Sequence, residues 1–157
     1  MKPSVYIETT VISYLTARLS KDLVVAAHQQ ITEEWWRTRS HLFDLYASQL
    51  VIREAGAGDE EQANKRLNVL KSVELLEITE NALSLSALLM KKGGIPREAP
   101  EDALHISVAV VNGIDYLLSW NCKHIVNAKM RSKIDQICLS CGYESIIICT
   151  PEELMED

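Results

Sequence analysis

Short, nearly unbroken apolar runs alternate along this chain with longer stretches whose apolar residues recur at helical spacing. That alternation predicts an α/β fold. A strand from Val5 to Glu8 opens the series, followed by a helix from Thr9 to Arg18 and a longer one from Asp22 to Arg39, capped by Asp22. Phe43 to Ser48 reads as the second strand, and Gln49 to Ala55 as a helix that stops at Ala55-Gly56-Ala57-Gly58. Asp59 caps the next helix, which reaches Lys71. Val73 to Ile78 is the third strand, and Thr79 begins a helix to Lys92 that Gly93-Gly94 ends. Pro100 suits the first turn of a helix running to Asn112-Gly113. Asp115 to Trp120 forms the fourth strand, Ala128 to Cys141 a helix, Ser145 to Cys149 the fifth strand, and Pro151 to Leu154 a closing turn.

The strands YLLSW and SIIIC carry little polar alternation, as expected where helices cover both faces of a parallel sheet. With no repeat, low-complexity tract or linker, the chain reads as a single domain over 1–157, long enough to bury a core without staples. The net charge of −6 argues against loose, charge-driven binding to nucleic acid. It leaves room for a nuclease, because bound divalent cations cancel acidity where it matters. No apolar run approaches the roughly 18 residues of a membrane span. MKPSVYIE lacks the apolar core of a secretory signal, so a cytoplasmic protein with reduced cysteines is expected. Cys138 and Cys141 form one C-x-x-C pair at a helix end, read as small buried residues rather than a metal or redox site.

Ligands of parallel α/β sheets collect at the carboxyl ends of the strands, beside a topological switch point. The first strand ends in Glu8, the fourth runs out at Asn121, and Asp102 lies in the first turn of the helix between strands three and four. Glu54 ends the helix after the second strand. Acids gathered there suit a hard cation able to polarise a phosphodiester and activate water. Each residue also has a plainer reading. Asp102 sits where acids favour a helix N-terminus, Glu54 lies on an amphipathic helix, and Asn121 suits a turn. Thr9 offers a hydroxyl beside Glu8. His28, His41, His105 and His124 show no ligand spacing; His105 stands one turn after Asp102, able to face it, with packing or hydrogen bonding as its expected role. Trp35 and Trp36 read as core or interface. The common nucleotide-binding and serine-hydrolase signatures are absent.

VYIETTVISYL, a central Glu54 and DALHISVAVVNGIDYLLSWN, in that order, resemble the PIN-domain family and, within it, the VapC-like toxins of bacterial toxin–antitoxin pairs. The resemblance implies a three-layer α/β/α sandwich on a mainly parallel sheet of about five strands, with an acidic pocket that binds Mg²⁺ or Mn²⁺. It implies endoribonuclease activity on RNA, homodimerisation, and restraint by a cognate antitoxin. Carried over by position, Glu8 stands for the family's first aspartate, Glu54 for its central glutamate, and Asp102 for its third acid, all as metal ligands. Asn121 stands where many members keep a fourth aspartate, so it would position water or metal. Glu8 is one methylene longer than the usual aspartate, and Asn121 lacks a charge. These departures keep a second reading in play: a catalytically weak or inactive PIN-like protein-binding module. A DNA-directed nuclease or other metal phosphohydrolase is a third.

Overall fold

The computed structural model describes residues 1–156. Its centre is β1, Ser4–Ile7, whose Val5, Tyr6 and Ile7 are completely buried. Three consecutive buried apolar side chains are tolerable only in a strand covered on both faces, which is how β1 is placed. It pairs in parallel with β2, Asp44–Ser48, on one side and with β4, Tyr116–Leu118, on the other. β3, Glu74–Leu76, and β5, Ile147–Cys149, complete the edges, so the strand order is β3-β2-β1-β4-β5. The chain winds outward from β1 in one direction through β2 and β3, then returns to the other side for β4 and β5. The switch point therefore lies between β1 and β4.

The helices are α1 Thr9–Thr16, α2 Leu23–Thr38, α3 Gln49–Ala55, α4 Glu60–Leu70, α5 Glu80–Lys91, α6 Pro100–Val111 and α7 Ala128–Ser140. They pack as two groups, α1 to α4 together and α5 to α7 together, giving the three-layer α/β/α sandwich expected from the sequence. Local chemistry sets their starts. Asp22 accepts from Val24 N and Val25 N, Asp59 from Gln62 N, and Thr79 from Ala82 N, each satisfying donors that a helix N-terminus leaves open. At the far end of α6, Gly113 adopts φ 66°, a left-handed conformation that turns the chain into β4 at little cost.

In the α5–α7 layer, α6 packs closely on α5 and buries Ala103, Ile106, Val108, Ala109 and Val110. His105 and Ser107 are buried with them. Trp35 is fully buried, as its core reading requires, with Trp36 partly buried against it. The cysteine expectation needs correction. Cys138 is buried on α7, but Cys141, one turn on, is exposed where the helix ends, and Cys122 is exposed as well. Burial lifts the Cys138 thiol to about 11 and the Cys149 thiol to about 12, so neither is a thiolate at neutral pH.

Candidate metal centre

The four sequence-selected residues reach the carboxyl end of the sheet, where Glu8 and Glu54 stand close together and Asp102 and Asn121 form a second cluster. Glu8 is the residue at which β1 becomes α1. Its extended backbone lets the side chain turn back and cap the helix, accepting from Thr10 N at 3.2 Å. The hydroxyls of Thr10 and Ser119 both donate to Oε1 of the same carboxylate. Only 4% of Glu8 is exposed, so these donors and the helix N-terminus offset much of the cost of burying a charge there.

Glu54 approaches from the end of α3. Its Oε1 accepts from Thr9 Oγ1 at 2.6 Å and lies 2.6 Å from His105 Nε2. Burial works to raise the Glu54 carboxyl, but hydrogen bonding and charge from His105, the Thr9 bond and the field of Arg53 outweigh it. The group is held below the usual carboxylate range and is ionised at neutral pH. On its other side, His105 Nδ1 lies 2.8 Å from Tyr6 Oη, which lies 2.8 Å from Ser48 Oγ. Desolvation drives the Tyr6 phenol well above its ordinary range, so it remains a hydroxyl.

Ligand atoms of Glu8, Glu54 and His105 all lie within 4.8 Å of one another. Among the described residues, no Lys or Arg forms an ion pair with either carboxylate. Two carboxylates and an imidazole, converging at a switch point with no Lys or Arg paired to the acids among the described residues, fit a divalent metal in both charge and donor type. Sequence reasoning gave His105 a packing or hydrogen-bonding role and allowed it to face Asp102. The structure turns it instead toward Glu54 and Tyr6.

Asp102 belongs to the second cluster. One carboxylate oxygen accepts from Asn121 Nδ2 at 3.0 Å, and the other lies 2.8 Å from His124 Nδ1. The Asn121 amide oxygen accepts from His124 N at 3.2 Å, so both ends of this amide are engaged. Asn121 N donates to Ser119 Oγ at 2.9 Å, and Ser119 donates to Glu8, which joins the two clusters through one hydroxyl. Ser119, Thr10 and His124 were not anticipated from the sequence. Ser119 lies two residues before Asn121 and Thr10 two after Glu8, and that closeness in the chain was the available signal.

Beside the clusters, Trp120 stacks on His28 with ring centroids 4.0 Å apart, and Tyr14 lies near both. The basic residues Arg53, Arg97, Lys123 and Lys129 are all exposed. A cavity of about 690 Å³ opens elsewhere, lined by Pro3, Asp115 and Ile147 among others, at the amino ends of the strands. The Asp115 carboxylate there is committed to Ser4 N and Oγ, so the converging acids remain the better candidate site.

No protein-family model matches the sequence, and no curated protein does. Solved structures do match in fold. VapC20 of Mycobacterium tuberculosis, described as a sarcin–ricin loop cleaving toxin, aligns with TM-score 0.59 and 14% identity over 77% of this chain and 92% of its own. VapBC2 from Rickettsia felis, solved bound to a DNA fragment from its promoter, gives 0.55 and 14% over 93% and 97%. FitAcB from Neisseria gonorrhoeae gives 0.56 and 13% over 96% and 99%. The chain has the PIN-like fold of these structures. At such identities the likeness is one of fold, and the chemistry must be argued from the site.

Proposed function

We propose that this protein, as one PIN-like domain over residues 1–157, is a metal-dependent endoribonuclease, the toxin of a toxin–antitoxin pair acting in the cytoplasm. The observation that carries the reading is the convergence of Glu8, Glu54 and His105 donor atoms within 4.8 Å at the sheet's switch point. The fold shared with a toxin described as cleaving the sarcin–ricin loop supports RNA as substrate. The likeness to VapBC2 and FitAcB supports an antitoxin partner. Homodimerisation belongs to the same proposal.

In this reading Glu8, Glu54 and Asp102 hold Mg²⁺ or Mn²⁺. The cation supplies Lewis acidity toward a phosphate oxygen and lowers the pKa of an attacking water. Glu8 contributes a carboxylate already fixed by Thr10 and Ser119, which keeps its longer side chain folded back against α1. Glu54, ionised and pinned by Thr9 and His105, keeps its second oxygen free of any protein partner among the described residues. Asp102 has one hydrogen bond on each oxygen and retains lone pairs for a cation or its water. Asn121 orients Asp102 through its amide nitrogen and ties the β4 end to it.

The test is cleavage of a mixed RNA pool by antitoxin-free protein with Mn²⁺ or Mg²⁺, against EDTA and Asp102→Asn. Cutting lost in both controls is expected. Metal-independent cutting, or wild-type cutting by Asp102→Asn, overturns the assignment. A folded protein that cuts no RNA would favour the protein-binding module, and one that cuts only DNA would move the substrate class.

A further inference from the structure

We propose that His105 Nε2 is itself a metal ligand, which makes the site a mixed imidazole–carboxylate centre that selects a first-row transition cation such as Mn²⁺ over Mg²⁺. The inference rests on the metal-dependent reading above and specifies its ligand set. Position is the first argument. His105 is 0% exposed, yet its Nε2 faces Glu54 rather than apolar packing and belongs to the same donor group as Glu8.

The outer side of the ring is the second argument. A metal-bound histidine nearly always gives its other ring N–H to an acceptor that fixes the tautomer and ring angle. Tyr6 Oη occupies that place at 2.8 Å from Nδ1, deep in the sheet, and is backed by Ser48 Oγ. Tyr6 stays protonated, so it can accept from Nδ1–H while donating onward to Ser48. With Nδ1–H held in this way Nε2 presents its lone pair to a cation, and any proton shared between Nε2 and Glu54 leaves to solvent on binding, as metal binding to protein ligands generally requires. The Nε2–Glu54 hydrogen bond marks where two ligands would share that ion.

Donor chemistry sets the selectivity. Magnesium takes hard oxygen ligands and keeps several waters, whereas imidazole suits first-row transition ions. His124 provides the internal control. Its Nδ1 is held by Asp102, but it does not belong to the group of donor atoms that includes Glu8 and Glu54.

Full-length protein carrying one equivalent of Mn²⁺ is to be examined by pulsed EPR, with calorimetric titrations of Mn²⁺ and Mg²⁺ alongside. Imidazole ¹⁴N modulation is expected in the wild type and in His124→Gln, and is expected to vanish in His105→Gln. The wild type should favour Mn²⁺ by about tenfold or more, a margin that shrinks in His105→Gln. Tyr6→Phe keeps the imidazole but removes its acceptor, so it should bind Mn²⁺ about 10–100-fold more weakly with the ¹⁴N signal intact. This variant decides the matter if His105→Gln does not fold, since unchanged affinity would overturn the proposal. Bound Mn²⁺ without imidazole coupling, or coupling that survives His105→Gln, overturns the His105 ligand and leaves the metal-dependent reading standing. Failure of the wild type to bind either ion overturns both.

Discussion

His105 lies 2.6 Å from Glu54 and His124 lies 2.8 Å from Asp102, yet the first imidazole side chain is 1% exposed and the second 15%. The same two functional groups are paired in two different settings. His105 is locked between the sheet and α3, and both of its nitrogens are engaged by buried or half-buried partners. His124 sits in the loop after β4, engaged through Nδ1 to the first turn of α6. The inner pair is built into the sheet, whereas the outer pair fastens a loop to a helix start. Burial, rather than the identity of the pair, sets what each can contribute.

The largest expected effect falls on the inner pair. Glu54→Gln keeps an amide oxygen to accept from Thr9 and His105, so the fold should survive. The lost charge should cut RNA cleavage by about 100-fold or more, the scale seen when one preorganised electrostatic group is removed from an active site. Cleavage rates, with a thermal melt to confirm folding, check this. A rate within a factor of a few of wild type would move the chemistry away from the inner pair.

The next effect separates the two imidazoles by stability. His105→Ala removes a buried ring and takes one hydrogen-bond partner from each of Tyr6 and Glu54, which should cost about 3 kcal/mol. His124→Ala breaks one hydrogen bond at a more exposed position and should cost about 1 kcal/mol. Denaturant midpoints of the two variants in EDTA supply the comparison. Equal losses would mean that the burial contrast has no energetic consequence.

Glu54 also gives the inner pair a pH signature. Its carboxyl is held below its unfolded value of 4.5, so the native state takes up that proton less readily than the unfolded chain. The contribution to stability is complete above pH 4.5 and is lost as pH falls through the lower folded value. Unfolding midpoints measured in EDTA over roughly pH 6 to 3 should therefore decline less steeply in Glu54→Gln than in wild type. Parallel curves would show that the His105 and Thr9 contacts do not favour the ionised form.

How much of this was legible in the sequence follows the same inner–outer division. α3 ends at Ala55 as expected, because Gly56 and Gly58 interrupt the helix at once. The caps Asp22, Asp59 and Thr79 were readable because a cap is a local device spanning three or four residues. Strand ends were overdrawn: Val73 to Ile78 shortens to Glu74–Leu76, and Ser145 to Cys149 shortens to Ile147–Cys149. Asp115 to Trp120 likewise shortens to Tyr116–Leu118 although β4 is paired on both sides, so apolar runs outlast the pairing in interior and edge strands alike. Glu8 stood out because a charged residue closing a buried strand is locally anomalous. His105 did not, because its partners Tyr6 and Glu54 lie 99 and 51 residues away and meet it only once β1, α3 and α6 are stacked. Spacing within α6 pointed to Asp102, its nearest acid on the helix, and tertiary placement overrode it.

The smallest expected effect tests whether the outer pair lies within the field of a bound cation. Asn121→Asp restores the acid that the family resemblance expects there. It also removes the Nδ2–H that Asp102 accepts at 3.0 Å and sets two carboxylates against each other. Without metal, the variant should lose about 1 kcal/mol, because both groups are partly solvated and their repulsion is screened. A cation that binds only the folded state raises stability in proportion to its affinity, and an added carboxylate should raise that affinity if it faces the ion. The variant should therefore gain more from millimolar Mn²⁺ than the wild type does, recovering its loss. If Mn²⁺ shifts both melting temperatures equally, Asn121 and Asp102 form a structural clasp outside the metal's reach, and the cation belongs to Glu8, Glu54 and His105 alone.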